Sequence, residues 1–362
     1  MNATEALHKL GQSLWLDNIS RELLNSGTLK RYIDELSVTG LTSNPTIFDK
    51  AITHGNLYDE AINRISTEGK SGEALFFELA LEDLVKAADL FRPIHVATEG
   101  IDGWVSLEVS PLLANNTAGT VRAAAQLFAR AERINLFIKI PGTPAGIPAI
   151  EESIAAGIPI NVTLLFSREH YLAAAEAYMS GLERRIAAGL APDVSSVASL
   201  FVSRWDVAVA DTVQGEFQNR LGIAIAMRTY KAYRDVLASP RWLKLAAAGA
   251  RPQRLLWAST GTKDPALPDT LYIEALAAAD TVNTIPEKTL LAFADHGKVG
   301  GVLPPDEGYA EDVIAEFNSE GIDDEALAAE LQRQGAESFT KSWNELMDIL
   351  TAKAQSFRVA GS

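Results

Sequence analysis

A lysine set among apolar residues is the first feature of this chain that could do chemistry. In 136–141 (LFIKIP) Leu136, Ile138 and Ile140 share one parity while Phe137 and Lys139 share the other, the period of a strand with two unlike faces. An ammonium there loses much of its hydration, and desolvation favours the neutral amine, the nucleophile that condenses with a ketone to give a Schiff base. On this strand alone, a lysine neutralised by a carboxylate for structural reasons fits equally well.

Other segments supply partners of the right type. Asp17, Glu108, Asn161 and Thr163 occupy the polar parity of their own strand-like runs, and Asn44 and Ser259 fall at the ends of two more. A lysine imine of a ketose activates the bond beyond the hydroxyl-bearing carbon, and breaking that bond requires a carboxylate to take the C4 hydroxyl proton, for which Asp17 is the candidate. Forming and hydrolysing the imine requires proton exchange with water, which Glu108 and the Thr163 hydroxyl could supply. Asn44 and Asn161 can hydrogen-bond substrate hydroxyls.

The elements that must position these groups alternate along the chain. A helix over 3–11 precedes a strand at 13–19, then a helical segment from Arg21 with breaks at Gly27 and Gly40, and a strand at 38–44. The pattern is helical over 49–91, extended at 104–110, and helical at 117–133. After the lysine strand and a short Ala, Gly and Ile bridge come strands at 160–166 and around 194–203 separated by a helix at 168–188. A helical stretch over 205–250 broken at Pro240 leads to strands at 254–260 and 280–286.

Eight strands alternating with helices predict a closed (β/α)8 barrel, an α/β TIM barrel with an N-terminal helix and a C-terminal helical extension. A doubly wound open sheet is the second choice, because its strands are buried on both faces and would not so regularly carry polar residues on one parity. In a barrel that parity points inward, so the polar groups can converge on one pocket, and so many of them are hard to explain as packing. The expected organisation is one domain over 1–362, with the barrel proper at about 13–296 and helices at about 306–355. In these, Leu327, Leu331, Phe339, Trp343, Leu346 and Leu350 form one stripe, expected to pack outside the barrel or across its mouth.

Acidic residues outnumber basic ones 47 to 32 in 362 residues, a formal charge of -15, with the basic residues scattered. Nucleic acid and anionic membrane are poor partners for such a surface. The chain has no cysteine, which excludes disulfides and thiolate metal sites. Neither an N-terminal apolar leader segment nor a run approaching the ~20 apolar residues of a membrane span is evident, and the expected location is the cytoplasm.

The stretches 40–48 (GLTSNPTIF), 106–110 (SLEVS), 137–141 (FIKIP), 161–167 (NVTLLFS) and 198–204 (ASLFVSR) together resemble the transaldolases across the whole barrel. The resemblance implies reversible transfer of a dihydroxyacetone unit from a ketose phosphate, such as fructose 6-phosphate or sedoheptulose 7-phosphate, to an aldose phosphate, without cofactor or metal, by a monomer or homodimer. It implies Lys139 as the Schiff-base residue, Asp17 as the acid/base in C–C cleavage, and Glu108 with Thr163 as holders of the catalytic water. Asn44, Asn161, Ser199, Phe201, Arg204 and Ser259 would bind substrate. Where many members read Ser-Phe-Arg this chain has Ser259, Thr260 and Gly261, and Lys263 is the candidate to replace the missing arginine charge.

Other readings are weaker. Asp17 and Glu108 could hold Mg2+, but a lysine beside them competes for their charge. The five histidines show no ligand spacing, and Ser199 and Ser259 lack a nearby histidine to make them nucleophiles. A simple fructose-6-phosphate aldolase would use the same lysine, yet related aldolases tend to carry a tyrosine where this chain has Phe201. A non-catalytic sugar-phosphate-binding barrel would need no lysine flanked by two carboxylates.

Overall fold

The structure, a computed structural model, describes residues 2–213, 215–306 and 308–360. Met1, Gln214, Glu307, Gly361 and Ser362, which fall within the expected domain limits and helical stretches, lie outside the described residues.

Eight strands form: β1 (Ser13–Asp17), β2 (Val38–Thr42), β3 (Trp104–Glu108), β4 (Leu136–Pro141), β5 (Ile160–Leu165), β6 (Ser196–Phe201), β7 (Gln253–Ala258) and β8 (Val282–Ile285). They pair in parallel in chain order, and β8 closes back on β1, so the barrel has no free edge. The open-sheet alternative is thereby excluded. Register sets the polar residues level with one another: Asp17 is paired with Thr42, Glu108 with Lys139, and Lys139 with Asn161. One ring of inward side chains is therefore polar.

Below that ring the barrel is plugged by aromatic residues. Trp104 stacks on Phe137 at 4.1 Å between centroids, and Trp15 leans on Phe137 at 6.0 Å. The Trp15 indole donates to Asp102 Oδ1 at 2.7 Å. Gly40, expected as a helix break, instead lies inside β2, where a Cβ would fall 2.6 Å from the Trp15 ring. Only a glycine lets that ring fill the floor.

Several helices differ from the sequence expectation. The bridge after the lysine strand is a ten-residue helix, Gly146–Ala155, because Pro148 sits in its first turn, where the missing N–H costs nothing. The stretch 49–91 divides into Pro45–Thr53, Asp59–Thr67 and Gly72–Ala97; Gly69, at φ +89, ends the second. The long stretch 205–250 divides into Ser203–Val209, Leu221–Ala238 and Pro240–Ala247, with Pro240 opening the last as Ser239 caps the Trp242 N–H. Strands β2, β3 and β7 stop two residues earlier than expected, so Asn44 and Ser259 lie just beyond the ladder.

The tail is two helices, Ala310–Ser319 and Asp324–Ala360, and the second crosses the barrel mouth. Gln332 Nε2 donates to the carbonyls of Gly142 (3.0 Å) and Leu164 (2.9 Å), beyond β4 and within β5. Trp343 is fully buried against Phe76 and Phe77 and donates to Glu73 Oε1 at 3.1 Å. Ser342 accepts from Thr46 at 2.8 Å. Among the described residues no helix is long and apolar enough to cross a membrane.

Candidate active site

The strands' carboxyl ends open into a cavity of about 360 Å³. It is bordered by Asp17, Asn44, Lys139, Thr163, Ser199, Phe201, Arg204, Ser259 and Lys263, which come from six strands and the segments that follow them. Phe339 and Ser338 of the C-terminal helix complete the wall. Of the residues singled out in the sequence, Glu108 and Asn161 stand outside this lining.

Lys139 is 5% exposed, and its ammonium has a backbone acceptor and a carboxylate beside it. Nζ donates to the Ser43 carbonyl at 2.9 Å and lies 3.1 Å from Glu108 Oε2. Burial pushes the Glu108 carboxyl above the usual carboxylate range; the Lys139 charge opposes that shift and Asp17 adds to it. Glu108 is thus a carboxyl able to hold or release a proton beside the amine.

Asp17 faces the cavity but is enclosed on its other sides, and this enclosure pushes its carboxyl upward against the pull of Lys139, of the Thr42 hydroxyl that donates to Oδ1 at 2.7 Å, and of Lys263. Thr163 Oγ1 is buried without a hydrogen-bond partner. It sits where β5 breaks register with β6 and Leu164 takes φ +58, a left-handed conformation rare for leucine. Gln332 of the C-terminal helix holds the carbonyl of that strained residue.

Asn44 Oδ1 caps the helix Pro45–Thr53 by accepting from the Ile47 N–H at 3.0 Å, which fixes the side chain at the cavity wall. Asn161 lies one level deeper: its amide donates to Ser106 Oγ at 3.1 Å and accepts from Ser199 Oγ at 2.7 Å, so it orients Ser199.

On the β6–β7 side the site is cationic. Arg204 lies 5.4 Å over the Phe201 ring and, among the described residues, has no carboxylate in salt-bridge range. Burial alone draws its guanidinium below the ordinary arginine value. Ser259, at φ +56, shares a hydrogen bond of 2.9 Å with Ser203. Lys263 Nζ folds back over Gly261, 3.8 Å from where a Cβ would stand. A half-buried guanidinium with no carboxylate partner among the described residues, a hydroxyl and an ammonium make an anion cradle.

A statistical description of the transaldolase/fructose-6-phosphate aldolase family matches residues 14–350. The chain belongs to that family. It is 46% identical over 354 residues to a transaldolase of Parafrankia sp. (strain EAN1pec), covering 95% of this chain and 96% of the relative. To the transaldolase of Renibacterium salmoninarum it is 42% identical, covering 99% and 98%, and to that of Thermobifida fusca 44%, covering 95% and 96%. The transaldolase family match spans every strand of the barrel and most of the helix that crosses its mouth.

Some residues escaped the sequence reading. Thr42 and the Ser43 carbonyl, which hold Asp17 and Lys139, read there only as parts of a motif. Lys50 also borders the cavity. Its signal was its spacing: three residues after Ile47 on the helix that Asn44 caps, it shares Ile47's face.

Proposed function

We propose that this chain is a transaldolase acting on sugar phosphates in the cytoplasm, as one catalytic unit formed by barrel and C-terminal helix. The observation that carries the reading is the placement of Lys139 Nζ between Glu108 and the Ser43 carbonyl, in a cavity shared with the raised carboxyl of Asp17.

Glu108 takes a proton from the Lys139 ammonium, and the freed amine attacks C2 of a ketose phosphate. The carbinolamine hydroxyl leaves as water with the proton returned by Glu108, and the Thr163 hydroxyl holds that water. Asp17 takes the C4 hydroxyl proton, the C3–C4 bond breaks, and its electrons pass into the imine to give an enamine on Lys139. The aldose phosphate departs. An acceptor aldose phosphate then receives C3, its new hydroxyl taking the proton from Asp17, and water releases the longer ketose. Arg204, Ser259 and Lys263 hold the phosphate throughout; Asn44 and Ser199, the latter set by Asn161, hold hydroxyls.

The aldolase alternative rests on the same lysine. Phe201 favours transfer: its ring carries the Arg204 guanidinium and has no hydroxyl to activate water for release of the enamine. Borohydride treatment with fructose 6-phosphate, followed by mass spectrometry, should add one three-carbon unit at Lys139. No adduct would reduce the chain to a sugar-phosphate-binding barrel. Free dihydroxyacetone accumulating without an acceptor would make it an aldolase.

A further inference from the structure

One oxygen of Asp17 is committed to a partner on the next strand. Its Oδ1 accepts from Thr42 Oγ1 at 2.7 Å, and Thr42 Oγ1 in turn lies 2.5 Å from Thr284 Oγ1. The three residues come from β1, β2 and β8, neighbours around the closed ring. Inward side chains of such a barrel stack in layers supplied by alternate strands, so β2 and β8 share a layer and their hydroxyls meet in front of β1, between Trp15 and Asp17. All three groups border the reaction cavity, with Thr42 2% and Thr284 4% exposed.

The direction of this relay follows from its protons. A carboxylate only accepts, and a threonine hydroxyl has one proton to give. Thr42 gives its proton to Asp17, so Thr284 must give its own to Thr42. Thr284 then has none left for a sugar hydroxyl, although it borders the cavity. Its main chain is held by the ladder and by the buried Thr260, whose hydroxyl is shared between Asn283 Oδ1 at 2.9 Å and the Thr284 carbonyl at 3.2 Å. The short O···O distance leaves no room for a methyl group, since a carbon stands about 3.3–3.6 Å from an oxygen.

We propose that Thr284 is a positioning residue for C–C cleavage: through Thr42 it fixes the Asp17 carboxylate in the orientation that receives the C4 hydroxyl proton. This rests on the transaldolase reading, which gives that proton to Asp17. A hydrogen bond accepted by Thr42 makes its own proton a stronger donor, and a donor to a carboxylate favours the charged form. The Thr42 hydroxyl already opposes the upward push that burial gives Asp17. Lys139, Lys263 and Lys50 share the cavity with Asp17, Arg204 lies across it, and Glu108 beside Lys139 is close enough to repel. Glu22 and His54 border the side chamber that Asp17 also walls. A substitution at Thr284 alters none of these charges, so a change in the titration of Asp17 reads the relay.

The test is single-turnover release of glyceraldehyde 3-phosphate from fructose 6-phosphate across pH in the wild type, Thr284→Val, Thr284→Ala and Thr284→Ser, with borohydride trapping of each. In Thr284→Val the rate should fall about tenfold at an unchanged KM, the loss of one charge-assisted hydrogen bond. Its acid limb should move to higher pH, because the ionised carboxylate has lost support. Trapping should give whole-ketose adduct at the expense of the three-carbon unit, since imine formation then outruns cleavage. Thr284→Ala removes the hydroxyl without crowding Thr42 and should show the same changes more mildly. Thr284→Ser keeps the hydroxyl and should restore rate, limb and adduct. An unchanged rate in Thr284→Val and Thr284→Ala overturns the proposal, and so does a slower rate whose limb stays in place. A raised KM at full rate overturns it by making Thr284 a sugar ligand; a Thr284→Ser enzyme as slow as Thr284→Val does so by assigning the effect to packing of the methyl group. Absence of any adduct in the wild type is a different failure: it removes the transaldolase reading, and the proposal with it.

Discussion

Glu108 Oε2 lies 3.1 Å from Lys139 Nζ, yet Glu108 does not border the cavity that Lys139 enters. The carboxyl can exchange a proton with the amine without occupying space needed by the sugar. It is also half of a buried pair, so removing either partner leaves the other uncompensated. Lys139→Ala should abolish turnover and borohydride trapping, and Lys139→Arg should do no better, because a guanidinium stays protonated and cannot attack a ketone. Turnover by Lys139→Ala, in protein free of wild type, would rule out the Schiff base.

Asp17→Asn keeps the shape and the hydrogen bond from Thr42 but loses the base. The imine should form and then stall, so borohydride should trap the whole ketose rather than the three-carbon unit. If mass spectrometry finds no adduct at all, Asp17 acts in imine formation instead of cleavage.

The same variant carries a stability prediction. Burial raises the Asp17 carboxyl in the folded state, so over the interval between the unfolded and folded values the native protein holds more protons than the unfolded chain. Stability contributed by this group therefore falls as pH rises through that interval, and its cost is full above the folded value. Asp17→Asn should melt at a higher temperature than wild type at neutral pH. The gain should shrink as pH drops toward about 4, the ordinary carboxylate range. A Tm difference that does not vary with pH would assign the change to packing.

Arg204→Ala should raise KM for fructose 6-phosphate steeply, each lost charge-assisted hydrogen bond costing ~1.5–3 kcal/mol. Lys263→Ala should do the same more mildly, because its ammonium is exposed and screened by water. Unphosphorylated acceptors should be nearly indifferent to both. Steady-state kinetics with paired acceptors reads the difference; an unchanged KM in Lys263→Ala would make it a solvated loop lysine.

Barrel closure was legible in the sequence because alternation at Trp15–Asp17, Ser106–Glu108 and Phe137–Lys139 has no other economical explanation. Helix boundaries were less so. The segment after the lysine strand read as a short Ala, Gly and Ile bridge although a first turn tolerates Gly146 and Pro148, and Gly40 read as a break although it makes room for Trp15 across β1 and β2. Lys50 was missed because nothing in its neighbours tells which side of the mouth a loop or helix will face. That fact belongs to ring order, which appears only when β8 meets β1.

Gln332→Ala would leave the Gly142 and Leu164 carbonyls without their donor, at a cost of ~1–3 kcal/mol each if water does not replace it. Urea unfolding should register the loss, and kcat should fall with it, because the left-handed Leu164 turn that presents Thr163 is then unsupported. A destabilised variant with unaltered kcat would mean that the turn holds itself.

The aromatic plug of Trp15, Phe137 and Trp104 has a kinetic meaning. Among the described residues none borders both the reaction cavity and the cavity of about 650 Å³ at the opposite, amino-terminal end of the barrel, so the reaction chamber has a closed floor. Sugars therefore enter and leave at the carboxyl-terminal end of the barrel. With no exit through the floor and one phosphate cradle for both aldoses, the first has to depart from the enamine before the second can arrive, a ping-pong order in which either sugar obstructs the other when it is in excess.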